Sequence, residues 1–218
     1  MLYGSLNHTR TIDKPQGALS ISLVMARRTA PVAKNTRLDR ADWVRAARDA
    51  LIKGGEARVK VDPLATEMGV TTGSFYWHFK NRQELLAEVL ADWEATNSAA
   101  LIDAVRTHEG DPDKQLDALV EAWIRESSFN PAYDSAVRDW ARSSAKADKV
   151  VRRVDETRIE LIQEIFKGFG YEGAHALVRA RIAYFHQVGY YTLQIRESRA
   201  DRLRLKNLYV AALRGDPR

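Results

Sequence analysis

An all-α fold is the class that this sequence predicts, and three observations predict it. From Asp39 onward apolar residues recur every three or four positions, and no stretch keeps the period of two that marks a half-buried strand. Capping residues ahead of these runs, and glycine or proline after them, divide the chain into helix-length segments. Composition agrees, since 45% hydrophobic and 29% charged residues over 218 positions suit one or two packed domains with a real core.

The elements follow in order. Asp39 is a fitting N-cap for a first helix that carries Trp43, Ala46, Ala47, Ala50 and Leu51 on one face and stops at Gly54-Gly55. A short second helix opens at Asp62-Pro63, where proline suits the first turn, buries Leu64, Ala65 and Met68, and ends at Gly69. The spacing predicts a third helix over 72–79. Asn81 then caps a long fourth helix, with Glu84 three residues later in the capping-box position. Breaks at Gly110 and Pro112, Asn130-Pro131, Ser143-Ser144, 168–173 and Ser198 leave five more helices of about 12 to 25 residues.

Residues 1–38 read as a flexible arm containing Pro15 and Pro31. Its stretch 17–26 has the outline of a signal-peptide core, but Ser20 and Ser22 interrupt it. Arg27 and Arg28 follow where small residues would mark cleavage, so a cytoplasmic protein is expected. Met25 reads equally well as a start. That same stretch is the longest nearly uncharged apolar one, and it falls short of the ~20 residues a membrane span needs. The absence of cysteine excludes disulfides, thiolate metal sites and a cysteine nucleophile.

Charge is uneven along the chain. Residues 25–82 hold twelve Lys or Arg against six Asp or Glu, whereas 83–218 hold twenty against twenty-two. The basic N-terminal third suits a polyanion, either nucleic acid or an anionic membrane surface.

The motif from Leu64 to Lys80 narrows that choice. Two short helices meet at Gly69, a residue free to adopt the left-handed conformation of a sharp turn. Phe75 and Phe79, four apart, share the inward face of the second helix. Thr71, Thr72, Gly73, Ser74, Tyr76, Trp77 and His78 are left outward or sideways, and folding alone gives little reason to expose two large aromatics on so short a helix. These types match a major-groove reader. Thr71 and Thr72 present hydroxyls at the helix start, Gly73 lets the backbone approach, and Thr72, Ser74 and Trp77 face base edges or thymine methyls. Tyr76, His78 and Lys80 are the expected phosphate contacts.

The stretch Leu64-Ala65, Gly69-Val70, Thr71, Gly73, Phe75-Tyr76, His78-Phe79-Lys80 and Glu84-Leu85-Leu86 resembles the DNA-binding domain of the TetR (tetracycline-repressor-like) family of bacterial transcriptional regulators. The likeness covers 65–86 closely and 39–86 more loosely. Arg82 stands where that family usually has Lys, and Trp77 fills a variable position. The resemblance implies a three-helix helix-turn-helix domain at 39–86. It also implies an effector-binding and dimerisation domain at 87–218, a homodimer, a double-stranded DNA operator and a small-molecule effector.

Beyond residue 86 the pattern supports this in part. The helix expected at 172–196 is apolar on more than one face. Phe185, Gly189 and Leu193 on it, with Leu205 and Leu208 on the last helix, are candidates for a dimer interface; completing a monomer's core is the alternative. Aromatics crowd the middle of the chain. Trp123, Tyr133, Trp140 and Tyr184 are candidates for an apolar or aromatic effector, with Arg138, His186 or Gln187 as polar anchors, and ordinary core packing is the competing reading. No cofactor is expected, and the histidines are too dispersed for a local metal motif. Arg152, Arg153, Arg199, Arg202, Arg204 and Lys206 read as solvated faces. The expected function is a DNA-binding regulator, a repressor released by its effector. An enzyme on an all-α scaffold lacks any catalytic grouping. A sequence-nonspecific basic nucleic-acid binder accounts for the charge but not for the glycine turn.

Overall fold

Asp39 starts the first helix as a reciprocal cap. Its carboxylate accepts from the Asp42 N–H at 2.8 Å, while Asp42 accepts from the Asp39 N–H at 2.7 Å. The computed structural model describes residues 38–215, and ten α-helices are found there: α1 Arg40–Gly54, α2 Val61–Glu67, α3 Thr72–Tyr76, α4 Arg82–Glu94, α5 Ala100–Arg106, α6 Pro112–Arg125, α7 Pro131–Ala141, α8 Ala145–Gly168, α9 Gly173–Thr192 and α10 Arg199–Arg214. No strand occurs among the described residues, so the fold is all-α. The expected arm at 1–38 and the alternative start at Met25 lie outside the described residues, apart from Leu38.

Proline and capping side chains set the later boundaries. Pro112 and Pro131 open α6 and α7 behind the Asp111 and Asn130 caps, and Ser144 and Ser198 cap α8 and α10. The fourth helix is long, as expected, but it widens into a π-helical turn over Ala95–Ala99 before continuing as α5. Asn97 and Ser98 within that turn are buried.

Two apolar cores are stacked along the chain. The first joins Trp43, Leu51, Leu64, Phe75, Phe79, Leu85 and Val89 to Tyr133, Val137 and Val151, so α7 and the start of α8 pack on the N-terminal helices. The second gathers Leu101, Leu116, Leu119, Trp123, Ile162, Phe166 and Tyr184 from α5, α6, α8 and α9. Tyr133 ties α7 to α4, its hydroxyl donating to the Val89 carbonyl at 2.6 Å with Asp92 Oδ2 3.1 Å away. Helix α10 buries no residue within the chain.

Between the cores lies a layer of buried charge. Arg138 grips Asp155 with both terminal nitrogens at 3.0 and 2.7 Å and meets Asp134 through Nε at 2.6 Å. Arg158, 3% exposed, reaches Asp134 at 3.2 Å and donates to the Asn97 carbonyl of the π turn at 3.0 Å. The Tyr184 hydroxyl donates to Asp155 at 2.6 Å and accepts from both arginines. Burial pushes this phenol up to about 12, so it stays protonated and remains a donor. Burial also opposes the charge on Arg138, but the Asp155 hydrogen bonds and the nearby Asp134 overcome it and hold the guanidinium above its ordinary value.

Candidate nucleic-acid interface and ligand cleft

Helix α3 is held by its inner face. Phe75 and Phe79 are 0% and 2% exposed and stack with ring centres 5.3 Å apart, and Trp43 of α1 meets Phe75 edge-on at 5.2 Å. Gly69, at φ +69°, makes the turn from α2, a conformation in which a Cβ would be strained. The Thr72 hydroxyl donates to Asp62 Oδ1 at 2.7 Å, fixing the start of α3 against the first turn of α2. Regular helix ends at Tyr76 instead of continuing to 79. His78 and Phe79 both donate to the Phe75 carbonyl, and Asn81 must then be extended to cap α4.

Arg40, which the sequence reading overlooked, secures this exit. Its guanidinium donates to the His78 carbonyl, to Glu84 at 2.9 Å and to Glu88 at 2.9 Å, and lies 4.1 Å from the Phe79 ring centre. Glu84 in turn accepts from the Lys80 N–H at 2.8 Å, which holds its carboxyl below the usual range, with Arg40 adding to the effect. The expected capping box is therefore half made. Asn81 accepts from the Glu84 N–H, but the Glu84 side chain takes the N–H of Lys80 and not that of Asn81. Arg82 has a structural task as well: its guanidinium donates to the Glu56 carbonyl at 2.7 Å, to the Val59 carbonyl and to the Glu56 carboxylate. A lysine at that position has no fork with which to make all three bonds.

The outer face of α3 is free. Trp77 is 82% and Tyr76 62% exposed; Thr71, Gly73 and Lys80 are exposed, and Thr72, Ser74 and His78 are half-buried. All eight sequence candidates thus lie on one short segment. Of these, Thr72 has its hydroxyl engaged by Asp62 and His78 its carbonyl by Arg40.

The four effector candidates are not brought together. Tyr133 and Trp140 belong to the first core, and Trp123 and Tyr184 to the second, with the Tyr184 hydroxyl turned into the charge layer. Arg138, offered as an anchor, is saturated by Asp134 and Asp155. A separate cleft does form between α6, α9 and α10, with a cavity volume of about 50 Å³. Trp123, His186 and Gln187 reach it, and Tyr190, Tyr209 and Arg202 complete much of its wall.

Two of the arginine and lysine positions read as solvated need correcting. The Arg202 and Lys206 side chains are only 11% and 12% exposed. Arg202 meets Glu126 at 3.1 Å and the Trp123 carbonyl at 3.0 Å, and Lys206 meets Asp117 and, at 3.3 Å, Glu121. Acids of α6 and its C-cap draw these cations inward.

The dimer candidates are placed on α9 and α10. Phe185, Leu193 and Leu208 are exposed, Gly189 and Leu205 half-buried. Val178 and Ile182 extend the Phe185 stripe at helical spacing and are also more than half exposed. A Cβ built on Gly189 would touch nothing within 4 Å, so no neighbour in its own chain requires glycine there. No group of three or more His, Asp or Glu that could hold a metal ion occurs among the described residues, and no helix there is long and apolar enough to cross a membrane.

Comparison with known proteins places this geometry. Residues 44–89 match the family described as bacterial regulatory proteins, tetR family. The HTH-type transcriptional regulator TtgR of Pseudomonas putida is 36% identical over 88 residues, 40% of each chain. The uncharacterized HTH-type transcriptional regulator TtgW of the same species is 42% identical over 67 residues, 31% of this chain and 48% of its own. The chain therefore spans less than half the length of these relatives. A crystal structure of a TetR/AcrR-family transcriptional regulator from Thermobifida fusca shares the fold over 82% of this chain and 98% of its own, with a TM-score of 0.58 at 16% identity. The Gly69 turn and the Phe75–Phe79 pair fall inside the segment, residues 44–89, that matches the tetR family.

Proposed function

We propose that this protein is a DNA-binding transcriptional regulator acting as a homodimer, a repressor released from its operator by a small apolar or aromatic effector. The observation that carries the reading is the division of aromatics on α3. Phe75 and Phe79 are sealed inside, while Tyr76 and Trp77 are left in solvent on a segment that a tight turn, an ion-paired arginine and a stacked ring pair hold in place. Rigid support of an exposed reading face is what sequence recognition requires, because base-edge contacts discriminate only when their donors and acceptors are already positioned.

In this reading Thr72, Ser74 and Trp77 face base edges, and Thr71, Tyr76, His78 and Lys80 meet phosphate, with Gly73 allowing close approach. Two such helices must sit about 34 to 36 Å apart to enter successive major grooves, which requires a dimer. The unpartnered stripe of Val178, Ile182, Phe185 and Gly189 on α9, together with Leu208 on α10, supports α9 and α10 as the pairing surface. Effector binding then favours a head spacing that no longer fits, and DNA weakens effector binding by the same factor.

The test is fluorescence anisotropy on DNA fragments flanking the protein's own gene, against scrambled DNA, over a salt series. Tight, sequence-selective binding with a steep salt slope is expected. Equal binding to specific and scrambled fragments overturns the regulator reading in favour of a nonspecific nucleic-acid binder.

A further inference from the structure

We infer that Asp62 is a positioning residue for DNA reading: by holding the Thr72 hydroxyl it presents the Thr72 methyl to the groove, so that Thr72 reads the C5 methyl of a thymine and donates no hydrogen bond to a base edge. This deepens the proposed function and rests on its DNA-binding half.

The bond between the two residues carries the argument. Thr72 Oγ1 donates to Asp62 Oδ1 at 2.7 Å, joining the first position of α3 to the first turn of α2. A threonine hydroxyl has one hydrogen, and here it is spent. Thr72 therefore has no proton left for the carbonyl and ring-nitrogen acceptors that bases show in the major groove. What remains is the γ-methyl, because a tetrahedral Cβ that turns its oxygen towards α2 turns its methyl away from α2. The branched Cβ is stiff at χ1, so one bond fixes both substituents together. Thymine alone among the four bases offers a methyl in that groove to match it.

A methyl so close to the backbone reaches a base only if the helix itself comes close. Gly73 beside it permits that. It is exposed, and apart from its chain neighbours a Cβ built on it would find nothing nearer than Thr71 Oγ1 at 3.6 Å.

Asp62 is otherwise badly placed for a DNA-binding face. It is exposed and within hydrogen-bond distance of the reading helix, in the basic segment 25–82, and a carboxylate there repels phosphate. An acid in the first turn favours the start of α2, but that benefit does not depend on Thr72. Fixing the Thr72 side chain is the task that needs an acceptor at position 62.

The test uses the full chain and a duplex that the wild-type protein enriches from a random-sequence library. Each thymine is replaced in turn by deoxyuridine, which differs only in lacking the C5 methyl, and affinity is read by anisotropy. One thymine in each half-site should respond, with binding weakened about 3- to 10-fold, the value of one buried methyl. Thr72→Ser keeps the hydroxyl and loses the methyl, so its binding should no longer change at that thymine. Asp62→Ala should lower the response there to less than about 2-fold, whereas Asp62→Asn, which still accepts from the hydroxyl, should keep it. Both Asp62 variants should bind scrambled DNA more tightly, having lost a negative charge. A bond that merely braced α2 against α3 would change affinity at all positions alike, and thermal melts of each variant show that the fold is retained. A uracil scan without a responding thymine overturns the assignment, as does a response that survives in Thr72→Ser or Asp62→Ala, or one that Asp62→Asn abolishes. Failure of the library to enrich any duplex overturns the regulator reading and this inference with it, whereas enrichment followed by a flat scan overturns this inference alone.

Discussion

Replacing Arg158 by methionine tests whether the charge layer between the two cores holds the fold together. Methionine keeps much of the aliphatic volume, so the loss is confined to the guanidinium. Three bonds disappear: to Asp134 Oδ1 at 3.2 Å, to the Tyr184 hydroxyl at 3.3 Å and to the Asn97 carbonyl at 3.0 Å. Removing one partner of a buried pair costs about 3 to 5 kcal/mol. Here Asp134 keeps Arg138 at 2.6 Å and Tyr184 keeps both Arg138 and Asp155, which favours the lower end. The Asn97 carbonyl also loses its donor from Arg158, adding about 1 to 3 kcal/mol. Against this, Arg158 Nε is buried without a partner and the desolvation of the guanidinium is relieved, returning a similar amount. The balance is a loss of about 3 kcal/mol, or about 6 to 12 °C in Tm for a chain of this size.

The assay is thermal and urea unfolding followed by circular dichroism at a fixed protomer concentration, since dimerisation would couple stability to concentration. Arg158→Lys should recover only part of the loss, because one ammonium does not span Asp134 and Asn97 together. Adding Asp134→Asn to Arg158→Met should cost less than the sum of the two single changes, by about 1 kcal/mol or more. A Tm for Arg158→Met within about 1 °C of the wild type would refute the reasoning: the layer would then be a tolerated cost of burial and not a tie between the cores.

Four further outcomes are expected. Phe75→Ala should lose about 3 to 5 kcal/mol of stability, because the ring is fully buried between Trp43 and Phe79; a urea midpoint unchanged within error would contradict that. Trp77→Ala should leave stability within about 0.5 kcal/mol and alter operator preference, whereas Lys80→Ala should weaken all DNA and lower the salt slope by about 1, both read from anisotropy on specific and scrambled fragments. Phe185→Asp should shift sedimentation towards the monomer and lower operator affinity with the monomer's helicity intact. Glu84 titrates below its ordinary value of 4.5 in the folded protein, so its contribution is complete above that pH and is lost as pH falls through the lowered value; Glu84→Gln should flatten that part of the acid-unfolding curve.

How far the sequence could be read depends on whether a feature is local. Caps at Asp39 and Asn81, breaks at Asn130 and Ser198, the Gly69 turn and the Phe75–Phe79 face are written within one or two helical turns, and they were legible. The π turn at Ala95–Ala99 was not. It is held by long-range bonds: Arg158, about sixty residues later, takes the Asn97 carbonyl, and Asn97 exchanges bonds with Asn130 at 2.8 and 3.2 Å. The aromatic candidates failed to converge for a related reason: Trp123, Tyr133, Trp140 and Tyr184 have the same hydropathic signature whether they fill a core or line a cavity. What separates them is the level of the stack at which each helix presents them.

Arg202 and Lys206 show where a longer-range signal did exist. Read along α10 alone, the charges alternate with leucines and suit a surface helix. Read against α6 run backwards, they form a ladder. Arg199 meets the Arg125 carbonyl, Arg202 meets Glu126 and the Trp123 carbonyl, Lys206 meets Asp117 and Glu121, and Arg214 meets Asp113. Asp117 and Glu121 are four apart on α6, as Arg202 and Lys206 are on α10, which is the spacing that lets two antiparallel helices match opposite charges turn by turn. The ladder has a price in conformational entropy that surface pairs seldom recover, but here it also roofs the cleft beside Gln187 with cations already neutralised. A helix whose charges are spent on its own chain packs Val210 and Leu213 on the second core and leaves Leu208 without a partner inside the protomer.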